Sequence, residues 1–210
     1  MNDFEELNNI EVSKPRSIPY EEYFGEMDLS DEQKEKRISF AEQMDDVMLF
    51  IFALFTVYRS YEMEPSYSFI VNELIDEYKS VAGNYTEIDK HLNDYIEEFS
   101  NNIVDTTIKN QSDPYYMSDD RASYVAENEA NTTLNYAEFQ DALHSGKTQK
   151  EWVDMRDRRE RKSHLKVGGT KIPIRDAFVV GNSLMMFPKD DSLGAEASEI
   201  INCRCSVKYT

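Results

Sequence analysis

Residues 134–155 read LNYAEFQDALHSGKTQKEWVDM, and a change of period inside this stretch decides the fold. A helix capped by Ser118 runs through Tyr124, Val125, Leu134, Tyr136, Phe139 and Leu143 to His144-Ser145-Gly146, a helix-stop signal. Beyond it the segments are short and β-like. Lys150–Met155 is a strand candidate, and Leu165–Ile172 is a second, bent by Gly168-Gly169. Ala177–Val180 and Leu184–Phe187 flank the hairpin signal Gly181-Asn182-Ser183, and Ile200–Tyr209 reads as a closing strand. A helix followed by a small, mainly antiparallel sheet is an α+β module.

Upstream of Ser118 the periodicity is helical. Ser30 before Asp31-Glu32 opens a helix through Phe40, Met44, Val47 and the Phe50–Phe55 run, and Pro65 stops it. A second helix is expected over Ser68–Val81, with Phe69, Leu74 and Tyr78 inward. A third follows from Thr86 through Ile88, Leu92, Tyr95, Ile96, Phe99 and Ile103. Asp113-Pro114 is the best candidate boundary. The expected division is an irregular acidic arm (1–29), a mostly helical region (30–115) and the α+β module (116–210).

With 210 residues, 40% of them apolar and 12% aromatic, the chain has material for a packed core and is not a wholly disordered one. Its 23 basic residues against 41 acidic ones give −18, which argues against a free-standing nucleic-acid binder with a general basic surface. The charge is uneven. Residues 1–120 carry 28 acids and 9 bases, whereas 121–210 carry 13 and 14, with ten bases and five acids within 146–176. Two cysteines suit a reducing compartment, and the opening MNDFEELNN has no export pattern. The sequons at Asn84 and Asn131 are then without glycosylation meaning. The apolar run Val47–Tyr58 is 12 residues, short of the roughly 20 that span a bilayer. It reads as a buried helix or one awaiting a partner protein.

The chemistry-bearing residues gather late in the chain. Residues 152–164 read WVDMRDRRERKSH, and Asn202-Cys203-Arg204-Cys205 follows near the C-terminus. In a strand, Cys203 and Cys205 would share a face, so both thiols could reach one metal ion, with His164 and Asp157 as further ligands. Structural zinc sites usually show wider Cys spacing and four N/S ligands. Buried thiols packing as small hydrophobes are the favoured reading, and no cofactor is expected. Asp157, Arg161 and His164 are candidates for acid, anion holder and base, with Glu129 a further catalytic candidate. No nucleophile or phosphate loop accompanies them. A buried Asp–Arg–His network fixing the loop against the closing strand is favoured instead. Glu127 and Glu129, two apart on a helix, do not share a face. Trp152 reads as a core anchor. Arg156, Arg158, Arg159 and Lys162 could touch packaged DNA or an acidic partner, or form a solvated mixed-charge face.

Trp152, Asp157, Arg161 and His164 form W-x4-D-x3-R-x2-H; Gly168, Pro173, Phe178, Pro188-x-Asp190 and the INCRC ending follow in order. This order resembles the phage head morphogenesis domain of the Mu protein F-like minor head proteins of tailed bacteriophages. The run Val125-Ala126-Glu127-Asn128-Glu129, Asn135 and Gly146 matches the helix that precedes the motif there, although that family commonly has Thr where Asn128 stands. The resemblance covers about 120–210; no match is seen over 1–115. It implies a virion component present in few copies and placed in the head interior, with host cytoplasm as the site of assembly. The partners it implies are the portal protein, a capsid or scaffolding protein, and packaged DNA, with roles in head morphogenesis or genome delivery. It implies no established reaction. A distant similarity to toxin-type effector modules leaves one alternative: a head-carried enzyme acting on nucleic acid or nucleotide, as a nuclease or ADP-ribosyltransferase.

Overall fold

The structure is a computed structural model that describes residues 19–210. Most of the expected acidic arm (1–18) lies outside the described residues, and the chain enters as a short helix, α1, Tyr20–Gly25. Two compact units follow: Ile38–Ala130, and Pro19–Arg37 together with Asn131–Thr210. Their boundaries fall inside two long helices, α2 (Asp31–Ser60) and α5 (Asp119–His144).

The unit Ile38–Ala130 is helical. Upstream of it, α2 starts on a reciprocal cap: Gln33 N donates to Ser30 Oγ (3.3 Å) and Ser30 N to Gln33 Oε1 (3.0 Å). Within the apolar run, Val47, Met48, Ile51, Phe52 and Phe55 are buried, whereas Phe50 is 43% and Val57 53% exposed. No helix among the described residues is long and apolar enough to cross a membrane. Helix α3 (Tyr67–Ala82) packs on α4 (Lys90–Lys109), with Tyr78 edge-on to Phe99 at 5.3 Å. Phe69 points outward rather than inward, because the buried face of α3 runs through Ile70, Leu74 and Tyr78. The α4 helix starts at Lys90, later than Thr86, because Asp89 caps it by accepting from Leu92 N (2.9 Å). Asp113-Pro114 lies within this unit, where it opens a 3-10 turn, Pro114–Met117. Arg121 ties that turn down by donating to Tyr116 O (2.6 Å) and Thr107 Oγ1 (2.8 Å).

In the other unit, α5 ends at Gly146 in the left-handed region (φ +73°). Lys147 N donates to Ala142 O (3.0 Å) and Gly146 N to Leu143 O (3.3 Å), a Schellman closure. Strand β1 (Gln149–Val153) lies between β2 (Lys171–Pro173) and β5 (Ser206–Tyr209), antiparallel to both. Strands β3 (Phe178–Val180) and β4 (Ser183–Met185) form a separate hairpin turning on Gly181, φ +60°. The fold is α+β, helices first and small antiparallel sheets last.

Two expected strands are corrected. Leu165–Ile172 is not a bent strand: helix α6 occupies Lys162–Val167, burying His164 and Val167 one turn apart, and only β2 remains extended. The closing strand starts at Ser206 rather than Ile200. A short helix, α7 (Ala197–Ile200), and a left-handed Asn202 (φ +54°) precede it, a conformation asparagine tolerates.

Candidate functional site

Strand β1 alternates, so Lys150 and Trp152 both point inward and both are fully buried. Trp152 stands edge-on to Phe178 (5.2 Å) and to the His164 ring (5.7 Å). Lys150 Nζ donates to Met186 O (2.6 Å) and lies 5.0 and 5.1 Å from the Phe139 and Phe178 rings. Burial pulls this ammonium from 10.5 down to about 8, with Asp190 and Asp176 pulling the other way.

His164 is brought by α6 against the Cys203-Arg204-Cys205 segment. Its Nδ1 lies 3.3 Å from Cys205 Sγ and 3.6 Å from Cys203 Sγ. All three residues are at most 2% exposed, and their ligand atoms lie within 4.8 Å of one another. On the far side of the ring, Nε2 is 3.0 Å from Glu199 Oε2, an ion-pair distance without hydrogen-bond alignment. The same carboxylate oxygen accepts from Ser163 Oγ at 2.7 Å. Gly181 leaves room for it: a Cβ there would come within 2.4 Å of Glu199 Oε1. Burial opposes ionising Cys203, but hydrogen bonds from Cys205 and His164 hold it well below the ordinary thiol range. The bond to Cys203, with burial, pushes Cys205 well above that range. Burial pulls His164 down, yet the bond to Cys203 raises it overall.

Two asparagines one turn apart on α5 hold the cysteine segment by its backbone. Asn131 Nδ2 donates to Cys203 O (2.9 Å) and Cys205 O (3.4 Å); Asn135 Nδ2 donates to Cys205 O (3.2 Å) and Pro188 O (3.3 Å). Their amide orientation is set from behind by the fully buried Arg37, which donates Nε to Asn131 Oδ1 (3.1 Å) and Nη2 to Asn135 Oδ1 (3.0 Å). Arg37 also grips Glu138 through both carboxylate oxygens (2.6 and 3.2 Å).

The expected Asp157–Arg161–His164 network is not what forms. Asp157 takes Arg204 Nη2 as its main partner and Arg159 Nε at 3.5 Å, while Arg161 Nη2 donates to Ile201 O. The loop 154–161 folds back instead on Glu160, whose carboxylate accepts from Met155 N (3.2 Å) and Arg156 N (2.6 Å), leaving Arg156 left-handed at φ +53°. Asp157 is thus engaged by Arg204 and is not part of the cluster that His164 forms with the thiols. Arg159 pairs with Glu26 at 2.6 Å; Arg156 and Arg158 are exposed on an open groove that Asp154, Asp157, Leu165 and Gly168 also line, and Lys162 is exposed. Glu129 belongs to the other unit, where its Oε2 accepts from Tyr78 OH (2.7 Å) and Tyr95 OH (2.8 Å). Asn202 makes the left-handed turn that feeds Cys203 into place.

Residues 82–208 match the family described as phage Mu protein F-like protein. The match extends upstream of the expected 120–210 into α4, so the absence of likeness expected over 1–115 does not hold for 82–115. The chain belongs to this family, a class of phage head morphogenesis proteins associated with the virion and with capsid-related partners. No curated protein and no solved structure matches the chain.

Proposed function

We propose that this chain is a minor head protein that docks on the portal or inner capsid through its helical unit and acts in head assembly or genome delivery. One observation supports the docking half of this reading beyond family membership. Phe50 and Val57 fall at i and i+7 of α2, and Tyr61 (73% exposed) follows in the turn just past its last residue, an outward apolar stripe parallel to the buried one. The buried stripe accounts for the core; the outward one is surplus to it. The exposed Arg156, Arg158 and Lys162 are the side chains offered to packaged DNA.

The alternative of a head-carried enzyme has less support. Its candidate base His164 is sealed from solvent, its Asp157 and Arg161 are engaged with Arg204 and Ile201 O, and its Glu129 is held by two tyrosines.

The test is a Phe50→Ser/Val57→Ser/Tyr61→Ser variant produced during infection with a phage lacking the native copy. A folded monomer absent from purified heads supports docking by this stripe. Normal incorporation of the variant overturns it. Phe55→Ser is the contrast, since Phe55 is 2% exposed and its loss should unfold the unit rather than spare it.

A further inference from the structure

We infer that His164, Cys203 and Cys205 form a buried transition-metal site for one zinc ion, with Glu199 as the carboxylate that orients the histidine. The inference goes beyond the head-protein reading and stands or falls separately from it.

Three independent features of the geometry carry it. The donor set comes first. One imidazole nitrogen and two sulfurs are the soft ligands zinc takes, and a tetrahedral ion with bonds of about 2.3 Å to sulfur and about 2.0 Å to nitrogen separates S from N by about 3.5 Å. The observed Nδ1–Sγ separations, 3.3 and 3.6 Å, lie on either side of that edge length. The back of the histidine comes second. A ligating histidine almost always gives its other nitrogen to a carboxylate or carbonyl. Here Nε2 has Glu199 Oε2 at an ion-pair distance of 3.0 Å, close enough to form that bond once the ring turns to it, and the carboxylate is itself fixed by Ser163 Oγ and admitted by the missing side chain of Gly181. Packing alone gives no reason to bury a glutamate behind a histidine that faces two thiols.

The third feature is the anchoring. The backbone of both cysteines is held through Asn131 and Asn135, so the sulfurs are placed before any ion arrives. The competing uses of this trio fail on the same geometry. A cysteine nucleophile needs access, and Cys203 is 2% exposed. A disulfide between residues two apart strains the bridge. The trio supplies three of the four positions of a tetrahedral ion. Asp157, held by Arg204, is not in the set.

The experiment uses the full chain, purified under reducing conditions, loaded with Zn²⁺ or Co²⁺ and dialysed. One zinc per chain and visible absorption typical of thiolate-bound tetrahedral cobalt are expected, both lost in Cys203→Ser/Cys205→Ser. Because that variant could fail to fold, Glu199→Gln provides a second measurement: all three ligands stay, and zinc affinity should fall about 10–100-fold. A folded wild type that retains no zinc and gives a featureless cobalt titration overturns the site. So does a double-serine variant that holds zinc like wild type, or a Glu199→Gln variant of unchanged affinity.

Discussion

Replacing Arg37 with methionine keeps roughly the length of the side chain and removes five hydrogen bonds from a group with no solvent exposure. All five guanidinium N–H directions are in use, so no donor is spare and lysine cannot reproduce the arrangement. The substitution strands the side-chain oxygens of Asn131 and Asn135, both 1% exposed. Each buried acceptor left unpaired costs about 1–3 kcal/mol. Glu138 loses its bidentate partner, but its side chain is 19% exposed and recovers water for part of its charge. The expected loss is therefore about 3–5 kcal/mol, the range for removing one partner of a buried pair. Trp152, the one tryptophan, sits in the same unit as Arg37, so its fluorescence follows the unfolding that matters. With a urea slope of about 2 kcal/mol per molar, the midpoint should fall by about 2 M at unchanged slope. A double-mutant cycle with Glu138→Gln should return a coupling of at least about 1 kcal/mol. A midpoint within 0.3 M of wild type (roughly 0.6 kcal/mol on the same slope) would show that the α5 asparagines are held by something else.

Lys150 makes a pH prediction. Its folded value of about 8 lies below 10.5, so the unfolded chain binds more protons between them and stability rises with pH across that window; as pH falls through 8 the gain is lost. The increment is about 3 kcal/mol at about 1.4 per unit, and it should vanish from the urea curves of Lys150→Met; parallel curves for both proteins refute it. Gly181→Ala should melt lower than Gly146→Ala: both take on left-handed strain of about 1–2 kcal/mol, but only at 181 does the new Cβ meet Glu199. Equal melting shifts would mean that Glu199 moves aside freely. For the basic loop, Arg158→Glu/Lys162→Glu should reduce the slope of log affinity for duplex DNA against log salt by about 2, at about 0.9 per lost phosphate contact; an unchanged slope removes the loop from DNA contact.

The helices were legible because their signals are local. Ser30 and Ser118 cap the helices that begin one residue later, Gly146 closes α5, and Gly181 turns the hairpin; each acts within a few residues of its own position. The small elements between β1 and β5 were misread for the same reason in reverse. Six residues of α6 contain a single inward apolar residue, Val167, beside the buried His164, too few to show a helical period, and Gly168-Gly169 looks alike after a helix and inside a bent strand. Cys203 and Cys205 looked like strand neighbours, yet they approach each other and His164 without a strand, because Asn202 turns the chain and two asparagines pin it.

The site itself was half legible, and the missing half shares one property. His164 and both cysteines could be named because their chemistry marks them wherever they fall. Arg37, Asn131, Glu199 and Arg204 could not, because their roles exist only across long separations: 94 residues from Arg37 to Asn131, 72 from Asn131 to Cys203, 47 from Arg204 to Asp157. The pairing of Asp157 with Arg161 was expected because the two are close in sequence. Arg161 instead donates to Ile201 O, and Arg204, from the cysteine segment, reaches Asp157. Each arginine thereby ties the loop to the 201–204 stretch rather than to itself. One signal did point to the α5 layer. Glu127, Glu129, Asn131, Thr132, Thr133 and Asn135 put six polar side chains within nine residues of a helix whose neighbours are buried alanines and a leucine, and all six are buried. Polar side chains buried on a helix must meet polar groups. The irregular Cys-Arg-Cys backbone cannot satisfy its own carbonyls in a ladder, and it is the segment that the asparagines of such a helix are placed to hold.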